Sequence, residues 1–409
     1  MSSEYKILVV SQHFWPEAFR INDICDFLVE KSCSVDVLCG IPNYPKGYFF
    51  EGYSYIKNRH ETHNGTRIFR SLDVPRGKNT NFRITLNYFS FPFFSLFVVP
   101  RLLARNYDKI FIYQTSPVLM SIAGIVIGKL KRVETTMYVL DLWPENLFSV
   151  LNIQNAHLRR LATIVSHWHY RHVDKLIVLS EVMRDKMQEI TKKPPGKIII
   201  LPQACEKIYE IKQHDKLLAA RFKSGFNIVY TGNISPAQSF ETIIEAAKIL
   251  INNSITDINW IVVGDGMSRK WLENEVKKAK LSDSFFFEGF KAIEDIPKYA
   301  DIAHAFIGCL VKSDLLEATI PAKVMSYLAS GKPQVLAMDG EVADLVNNVA
   351  RCGFVGPAGD STALYNNIMK VYSLSTKARK SLGENGRRYH LQNFERNLVL
   401  GKLFNFIFK

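Results

Sequence analysis

A proline and a lysine at the start of a predicted helix are the residues of this sequence best suited to bind an anion. Ile320, Pro321, Ala322 and Lys323 precede a helical stretch that ends at Gly331. The first N–H groups of a helix have no intrahelical acceptor and carry partial positive charge, so they bind phosphate oxygens, and a lysine beside them adds a full charge. The segment therefore predicts a phosphate or diphosphate site with Lys323 as its cation.

Glycine and neutral polar residues follow three predicted strands in the same half of the chain. Gly232, Asn233 and Gln238 come after one strand, Gly264 after the next and Gly289 after a third. Glycine lets the backbone approach a ligand closely, and amide side chains can hydrogen-bond phosphate or sugar oxygens. These residues are candidates for ligand binding; a purely structural turn after each strand is the alternative.

The first predicted strand ends in a loop rich in aromatic and charged residues. His13, Trp15, Glu17 and Arg20 lie in this loop, ahead of a helix predicted to begin near Ile21. The loop lacks the G-x-G-x-x-G pattern, so no dinucleotide cofactor is expected. Its composition suits a bulky acceptor molecule or a phosphate. The alternative is a proline turn with packed aromatic rings.

Two carboxylates follow the fifth predicted strand of the first half, in the sequence Asp141-Leu-Trp143-Pro144-Glu145. A carboxylate just beyond a parallel strand lies at the sheet edge where ligands bind, and there it can act as a general base or bind a sugar hydroxyl. Pro144 disfavours helical geometry at Trp143. Asp141 and Glu145 are therefore candidate catalytic residues, with helix capping by Asp141 as the structural alternative.

Short β-branched runs alternate with helical patterns along the sequence, which predicts an α/β fold of two doubly wound, mostly parallel sheets. The first set of predicted strands covers residues 6–10, 34–39, 66–70, 109–113, 135–140, 175–179 and 197–201. The second set covers residues 227–230, 260–263, 285–287, 302–306, 334–337 and 354–355. We predict Rossmann-like domains at residues 1–204 and 205–385, facing a central cleft. A helical segment at residues 386–409 then packs back on the first domain or caps the second.

The 409-residue chain has the length of two α/β domains and the composition of a globular protein. Its six cysteines lack zinc-binding spacing and no signal peptide precedes the first strand, so we expect reduced, mostly buried thiols in a cytoplasmic protein. The net charge is +13, and residues 57–132 hold thirteen basic and three acidic residues. Such a window attracts phosphates, whether of nucleic acid, lipid or a diphosphate substrate.

The basic window includes an uncharged aromatic segment, residues 84–100, flanked by Arg83 and Arg101. It is short for a membrane span, and two prolines interrupt it. Arginine beside phenylalanine and tyrosine suits a segment lying on a bilayer, so we expect contact with an anionic membrane surface between Arg67 and Arg105. A plain core helix and a true span are the alternatives. Nucleic acid is not expected, because no recognition motif accompanies the basic residues.

Taken in order, these segments resemble the GT-B glycosyltransferases of family 4, in particular bacterial transferases of O-antigen and colanic-acid synthesis of the WcaI and WbuB type. The resemblance spans nearly the whole chain. Each motif alone is weak, whereas their order and spacing are specific. It rests on the segments Gly40-Ile-Pro-Asn43-Tyr44-Pro45-Lys-Gly47, Asp141-Leu-Trp-Pro-Glu145, Tyr230-Thr-Gly-Asn-Ile-Ser, Val263-Gly-Asp-Gly266, Glu288-Gly289, Ile320-Pro-Ala-Lys323 and Ala329-Ser-Gly-Lys-Pro333.

The resemblance implies a nucleotide-diphosphate sugar bound mainly by the second domain and an acceptor bound by the first. The nucleotide base would meet main chain near Phe290, and the diphosphate would lie against Gly232 and the helix that follows Lys323. Asn43 and Tyr44 would contact the acceptor, together with the loop after the first strand.

The sequence departs from the family pattern at the expected donor site. Two glutamates that many members carry are replaced by Ala318 and Ser326, and an arginine and a lysine are replaced by Asn233 and Gln238. Lys323 is then the main remaining cation, with helix dipoles and Arg20 as further sources of positive charge.

Two other positions bear on the donor sugar. We expect Glu341 to replace the glutamate that contacts the ribose in relatives, with a simple helix start as the alternative. Leu140 stands where many relatives carry a histidine that meets the 6-hydroxyl of the sugar. Its loss suits a 6-deoxy donor sugar such as N-acetyl-L-fucosamine.

The sequence is interpreted as a retaining glycosyltransferase that moves a sugar from a UDP-sugar to a polyprenyl-diphosphate-linked acceptor in O-antigen or surface-polysaccharide synthesis. It would bind peripherally at the cytoplasmic face of the bacterial inner membrane. In such a mechanism the donor phosphate assists the acceptor hydroxyl, so no protein nucleophile is required; no metal and no cofactor are expected. The alternatives are a UDP-N-acetylglucosamine 2-epimerase of the same architecture and a non-catalytic membrane-binding protein of the same fold.

Overall fold

The computed structural model describes residues 5–78, 80–145, 147–148, 154–313, 317 and 320–409, and it divides into two compact α/β units. The first unit ends at Pro202 and also includes Leu400–Lys409, while the second comprises Gln203–Val399. Each unit has one mostly parallel sheet flanked by helices. The predicted fold class of two Rossmann-like units is confirmed.

The first unit contains an eight-stranded sheet whose strands follow the predicted positions closely. The strands are β1 (Lys6–Val10), β2 (Ser34–Cys39), β3 (His60–His63), β4 (Thr66–Arg70), β5 (Lys109–Gln114), β6 (Thr135–Val139), β7 (Lys175–Val178) and β8 (Ile198–Ile200). Their order across the sheet is β3-β4-β2-β1-β5-β6-β7-β8, and only the β3–β4 pair is antiparallel. The sequence analysis missed β3 because this short edge strand, His-Glu-Thr-His, has no apolar run.

Helices connect these strands, and the first of them begins at Ile21 as predicted. The helices of this unit are α1 (Ile21–Glu30), α2 (Asn81–Ser95), α3 (Val99–Leu103), α4 (Ile122–Lys131), α5 (Ala156–His172) and α6 (Glu181–Thr191), with a 3₁₀ turn at Val118–Ser121. The core strand β1 has four consecutive residues with no exposed surface. Such a continuous apolar run is expected where helices cover both faces of a parallel sheet.

The second unit contains a six-stranded sheet in which all neighbouring strands are parallel. The strands are β9 (Phe226–Thr231), β10 (Ile258–Val263), β11 (Phe285–Gly289), β12 (Ala305–Cys309), β13 (Gln334–Ala337) and β14 (Gly353–Gly356). Their order is β11-β10-β9-β12-β13-β14. The predicted strand at residues 302–306 starts three residues too early, because Ile302 closes the preceding helix.

The helices of the second unit are α7 (Lys216–Arg221), α8 (Phe240–Asn252), α9 (Arg269–Lys278), α10 (Ile296–Ile302), α11 (Ala322–Ser330), α12 (Glu341–Asp344), α13 (Ser361–Ser373) and α14 (Thr376–Asn393). A last helix, α15 (Arg396–Phe408), ends the chain. The helical pattern expected from residue 387 onward is thus broken between α14 and α15. Within the first unit, the ring of Tyr5 lies 6.3 Å from that of Phe404 and 4.4 Å from that of Phe408.

Helix α2 buries several polar residues and exposes several aromatic ones, although Tyr88 and Phe91 of the same helix are buried. Asn87 and Ser95 have no exposed surface, whereas the exposed fractions of Phe82, Phe89 and Phe93 are 71%, 59% and 57%. The exposed rings recur at the spacing of one helix face. Among the helices that the structure describes, none is both long and apolar enough to cross a bilayer.

Candidate active site

Three glycine loops pack against each other at the carboxyl ends of β9, β10 and β11. The Gly264 amide donates to the Gly289 carbonyl over 2.9 Å, and the Gly232 amide donates to the Val263 carbonyl over 3.0 Å. A Cβ atom on Gly264 would lie 1.9 Å from the Gly232 oxygen, and both residues have positive φ, +145° and +132°. Only glycine therefore fits at position 264, whose role in the structure is to let two loops touch.

Lys323 lies beside the first of these loops and is held by neutral groups. Its ammonium donates to the Tyr230 hydroxyl over 2.8 Å and also to Gln238 Oε1. The Nζ atom is 4.1 Å from the centre of the Tyr230 ring. A Cβ atom built on Gly232 would be 3.7 Å from the same Nζ. The structure thus brings together three residues that the sequence assigned to one anion site: Gly232, Gln238 and Lys323.

The electrostatic setting of Lys323 favours its neutral form while no anion is bound. Burial lowers the pKa of Lys323 to about 7, and the nearby Cys309 thiol opposes that shift more weakly. Removing an ammonium from water is costly unless a negative charge compensates it. A phosphate beside Nζ would supply that charge and restore the ammonium.

Helix α11 presents its N-terminus at the same place. Pro321 occupies the N-cap position with extended geometry, Ala322 is exposed at the first helical position, and Ile320 packs on the apolar cluster beneath. Tyr327 anchors the helix, because its hydroxyl accepts a bond from the Thr231 amide over 3.1 Å. The helix start is therefore fixed relative to the β9 loop.

The other residues assigned to the donor site have mixed placements. Asn233 is exposed and its carbonyl accepts from the Tyr230 hydroxyl over 2.6 Å, while Phe290 is 79% exposed after Gly289. Ser326 bonds back to the Ala322 carbonyl over 3.1 Å and is buried. Ala318 lies outside the described residues.

Glu341 is the first residue of the short helix α12 and is half-buried. The preceding Gly340 has a φ of +78° and runs close to the backbone of Glu317: a Cβ atom there would meet the Glu317 oxygen at 2.2 Å. The position of Glu341 thus depends on the segment before α11. Its predicted role toward a ribose stays a prediction.

In the first unit, Asp141 belongs to a small hydrogen-bonded group after β6. The Ser116 hydroxyl donates to Asp141 Oδ2 over 2.8 Å and receives the Trp143 indole N–H over 2.9 Å. The Trp143 amide donates to the Tyr170 hydroxyl over 3.0 Å. Asp141 is half-buried, so its carboxylate is positioned by neighbours and still accessible.

Glu145 has a different environment from Asp141. It forms an ion pair with Lys186 of α6, which is the contact expected of a structural residue. Its Oε2 atom is buried and has no hydrogen-bond partner among the described residues. The predicted catalytic role of Glu145 therefore has less geometric support than that of Asp141.

The acceptor-binding candidates after β1 and β2 form one buried network. Glu17 accepts the Asn43 amide at 2.7 Å and the Tyr44 amide at 2.6 Å through Oε1, and it meets His13 Nδ1 at 2.9 Å through Oε2. His13, Glu17 and Asn43 are each at most 3% exposed. They fix the loop that carries Tyr44, whereas Tyr44 itself is 40% exposed.

Two further candidates lie at the edges of this network. Trp15 is 37% exposed and stacks on His63, with ring centroids 3.8 Å apart. Arg20 is half-buried immediately before α1. Trp15 and Tyr44 thus offer aromatic surface to a ligand, while the buried members hold the loops in place.

Sequence analysis missed two polar residues near these loops. Arg76 lies after β4, with its guanidinium 5.6 Å from the ring centres of both Tyr44 and Tyr88. Asp73 is buried and accepts from Ile41 N at 3.1 Å and Asn43 Nδ2 at 3.0 Å. Burial raises the pKa of Asp73 to about 7. Both residues follow the predicted strand at residues 66–70, and this position was the signal in the sequence that could have identified them.

Several arginines of the basic window are used inside the first unit. Arg67 and Arg105 both bind the buried Asp36, at 2.6 and 2.8 Å. Arg70 has no exposed surface and pairs with Glu61. Fewer positive charges between Arg67 and Arg105 are thus left to face a membrane than the number of basic residues in the sequence suggests. In the described part of the chain, no three His, Cys, Asp or Glu side chains come together in a way that could hold a metal ion.

Comparison with known proteins gives a family match in the second unit. Residues 219–389 match the family described as glycosyl transferases group 1. The chain is 24% identical over 85% of its length to a protein of Escherichia coli K12 assigned to colanic acid biosynthesis as the glycosyl transferase WcaI, and the alignment covers 88% of that protein. It is 21% identical to the 2-deoxystreptamine N-acetyl-D-glucosaminyltransferase of Niallia circulans, over 80% and 83% of the two chains.

A solved structure shares the fold over both units. The Anabaena protein HepE, crystallised with UDP and glucose, aligns with a TM-score of 0.71 over 98% of this chain and 99% of its own, at 15% identity.

Proposed function

We propose that this chain, a glycosyltransferase with the GT-B fold whose residues 219–389 belong to the glycosyl transferases group 1 family, transfers a sugar from a UDP-sugar to a polyprenyl-diphosphate-linked acceptor in surface-polysaccharide synthesis. The observation that carries the proposal is the placement of Lys323 beside Gly232 and the N-terminus of α11. A cation, an open glycine and a helix start converge there at the carboxyl ends of parallel strands.

The donor diphosphate would bind at this convergence. Among the described residues, the hydrogen-bond partners of Lys323 are neutral, the Tyr230 hydroxyl and the Gln238 amide oxygen, although burial disfavours its charge. A diphosphate would replace these weak partners with a charge-assisted bond. UDP is the nucleotide bound in the HepE crystals, which supports UDP as the carrier.

The reaction would proceed with retention at the anomeric carbon. The bond between that carbon and the acceptor oxygen forms as the bond to the UDP oxygen breaks, and the acceptor proton passes to the departing phosphate. Lys323 and the first N–H groups of α11 would stabilise the negative charge that develops on UDP. Asp141 would orient the acceptor hydroxyl, and the step uses neither a metal nor a cofactor.

The first unit would bind the acceptor through the loops after its strands. Asp141 is half-buried after β6, and Trp15 and Tyr44 provide partly exposed rings after β1 and β2 of the same sheet. Sugars commonly pack on aromatic faces, because their C–H surfaces are apolar while their hydroxyls need hydrogen-bond partners. The buried Glu17 network would keep these rings in position.

The apolar face of α2 would place the protein on the cytoplasmic face of the bacterial inner membrane. Its exposed phenylalanines lie in a window that remains basic at Lys57 and Arg83. Apolar rings flanked by cations bind anionic bilayers peripherally. The protein would then reach a lipid-linked acceptor that stays in the membrane. The colanic-acid relative supports a polysaccharide product.

The donor sugar would be a 6-deoxy sugar such as N-acetyl-L-fucosamine. Leu140 directly precedes Asp141, is half-buried, and offers no hydrogen bond to a 6-hydroxyl. A site without that partner leaves a 6-hydroxyl unsatisfied when it is buried. Equal turnover of UDP-N-acetylglucosamine and UDP-N-acetyl-L-fucosamine would contradict this part of the proposal.

One experiment tests the function directly. The protein is incubated with a panel of UDP-sugars and a short prenyl-diphosphate-linked sugar, and UDP release is measured. The product is identified by mass, and NMR gives its anomeric configuration. We expect release that requires the acceptor and a product with the donor's configuration. Epimerised donor without acceptor, or no UDP release with any pair, would overturn the proposal.

A further inference from the structure

Arg76 is held rigidly in the first unit by two aromatic rings and one buried amide. Its guanidinium carbon lies 5.6 Å from the ring centres of both Tyr44 and Tyr88. Its Nε donates to Asn87 Oδ1 over 3.1 Å, and Asn87 has no exposed surface. Asn87 is in turn fixed because it donates to the Val74 carbonyl over 2.8 Å. The side chain is therefore ordered in the absence of a ligand.

Among the described residues, no carboxylate pairs with this guanidinium. Neighbouring arginines of the same basic window have acidic partners: Arg67 and Arg105 share Asp36, and Arg70 binds Glu61. Among the described residues, Arg76 forms no ion pair, and its only hydrogen bond uses Nε. Arg76 is also only partly exposed. A preorganised guanidinium with both terminal nitrogens available is the geometry that binds a phosphate through two parallel bonds.

Arg76 lies close to the residues that would meet the acceptor. Burial raises the pKa of Tyr88, Arg76 lowers it, and Asp141 raises it, so both charges act on the same hydroxyl. Trp143 packs edge-on against Tyr88, with centroids 5.6 Å apart. Arg76 and Asp141 thus act with opposite charges on one aromatic side chain.

We propose that Arg76 binds the diphosphate of the lipid-linked acceptor, an inference that rests on the proposed function. Arg76 would hold the anionic part of the acceptor while Asp141 meets a hydroxyl of the sugar attached to it. The rings of Tyr44 and Tyr88 keep the guanidinium plane fixed, so little side-chain entropy is lost on binding.

The test measures binding of geranyl diphosphate by tryptophan fluorescence, with UDP present at saturation to fill the donor site. The wild-type protein is compared with Arg76→Met, Arg76→Lys and Lys78→Met. Lys78 is the matched control, because it is exposed, lies two residues away and carries the same charge. Thermal melting and UDP affinity verify that each variant is folded.

We expect Arg76→Met to weaken binding about 10- to 100-fold, the usual range for a lost charge-assisted pair. Arg76→Lys should give an intermediate loss, because an ammonium keeps the charge without the two-pronged geometry, and it decides the question alone if Arg76→Met does not fold. Lys78→Met should bind as the wild type does. Absence of wild-type binding, an unchanged Arg76→Lys, or equal losses in the Arg76 and Lys78 variants would overturn the inference.

A transfer assay separates this inference from the proposed function. If geranyl diphosphate binds through Arg76 but no UDP-sugar is transferred to a prenyl-diphosphate-linked sugar, the proposed reaction fails and the diphosphate site remains. If transfer occurs and the Arg76 variants are as active as the wild type on that acceptor, the reaction stands and the role of Arg76 is wrong.

Discussion

Lys323 lies in an environment that does not compensate its positive charge. Its hydrogen bonds go to a phenol and an amide oxygen, and burial lowers its pKa to about 7. The replacement of charged family residues by Asn233 and Gln238 leaves this lysine as the main side-chain cation of the donor site. Removing or titrating this one residue should therefore change turnover, donor affinity and the stability of the fold.

Replacing Lys323 with Met should reduce kcat about 10²- to 10³-fold, the loss typical when one group stabilising transition-state charge is removed. Steady-state UDP release measures this change. Lys377→Met is the control, since Lys377 is an exposed residue of α14. A folded Lys323→Met variant with near-normal turnover would show that another group stabilises the leaving UDP.

The affinity for donor should depend on pH through the same lysine. Because the ammonium is the form that binds phosphate, affinity for UDP-glucose should be constant below pH 7 and fall above it, by about tenfold per unit. Calorimetry across pH 6 to 9 measures the profile. In Lys323→Met the profile should be flat; a slope that persists in this variant would assign the titration to another group.

The stability of the fold should depend on pH in the opposite direction: donor affinity falls as the pH rises above 7, whereas the contribution of Lys323 to stability becomes less unfavourable. A lysine with a lowered pKa in the folded state destabilises the fold fully below that pKa, and the penalty shrinks as the pH rises toward the unfolded value. Lys323→Met should therefore melt at a higher temperature than the wild type at pH 6, with a smaller difference at pH 9. Equal melting differences at both pH values would contradict the shifted pKa.

At the scale of elements, the donor site depends on two loops whose backbones can touch only because the residues at the contact, Gly232 and Gly264, are glycines. Gly264→Ala should destabilise the second unit by about 1–3 kcal/mol for its backbone geometry and about 1–3 kcal/mol for the clash with the Gly232 carbonyl. Thermal melting and UDP affinity should both fall.

Gly359→Ala separates these two contributions. Gly359 also has a positive φ, +78°, but a Cβ atom there would meet nothing within 4 Å. It should therefore show the backbone cost alone and leave UDP affinity unchanged. If the two substitutions lower the melting temperature equally, close packing of the β9 and β10 loops does not support the site.

Helix α2 is the element whose sequence and environment disagree most. Its inner side holds Asn87, Ser90 and Ser95 beside the buried Tyr88 and Phe91, and its outer side holds exposed phenylalanines. The polar side chains are satisfied internally: the Ser90 hydroxyl accepts from the Val74 amide over 2.8 Å, and the Ser95 hydroxyl donates to the Pro92 carbonyl over 2.7 Å. The helix thus leaves an apolar surface exposed, which is typical of an interaction site.

At the scale of the whole molecule, we expect this surface to attach the protein to anionic vesicles. Burying one phenylalanine contributes about 2 kcal/mol, so Phe89→Asp and Phe93→Asp should each weaken binding at least about 30-fold in a sedimentation assay. Leu217→Asp is the control, because Leu217 is 85% exposed in the second unit. Unchanged vesicle binding by the Phe variants would remove the membrane role of α2.

The sequence predicted the positions of the strands along the chain well and the environments of side chains poorly. Strands β1, β2, β4 and β13 have the predicted limits, because an apolar run between turn residues is a local signal. The antiparallel β3 was missed because it lacks that signal. Lys323, Gly232 and Gln238 were expected at one site and lie next to each other in the structure, since residues after adjacent parallel strands meet at one edge. Their role in binding stays a prediction.

The sequence by itself determined the two-domain α/β fold, the limits of several strands and the residue types of the proposed donor site. Only the tertiary structure decided which charges are available. Asp36 and Glu61 pair with three of the arginines, Glu17 is buried as a loop anchor, and Arg76 lies between two rings with no ion pair among the described residues. The reason is physical: strand and turn patterns are local, whereas the partner of a charged side chain is chosen among residues tens of positions away that meet only after packing.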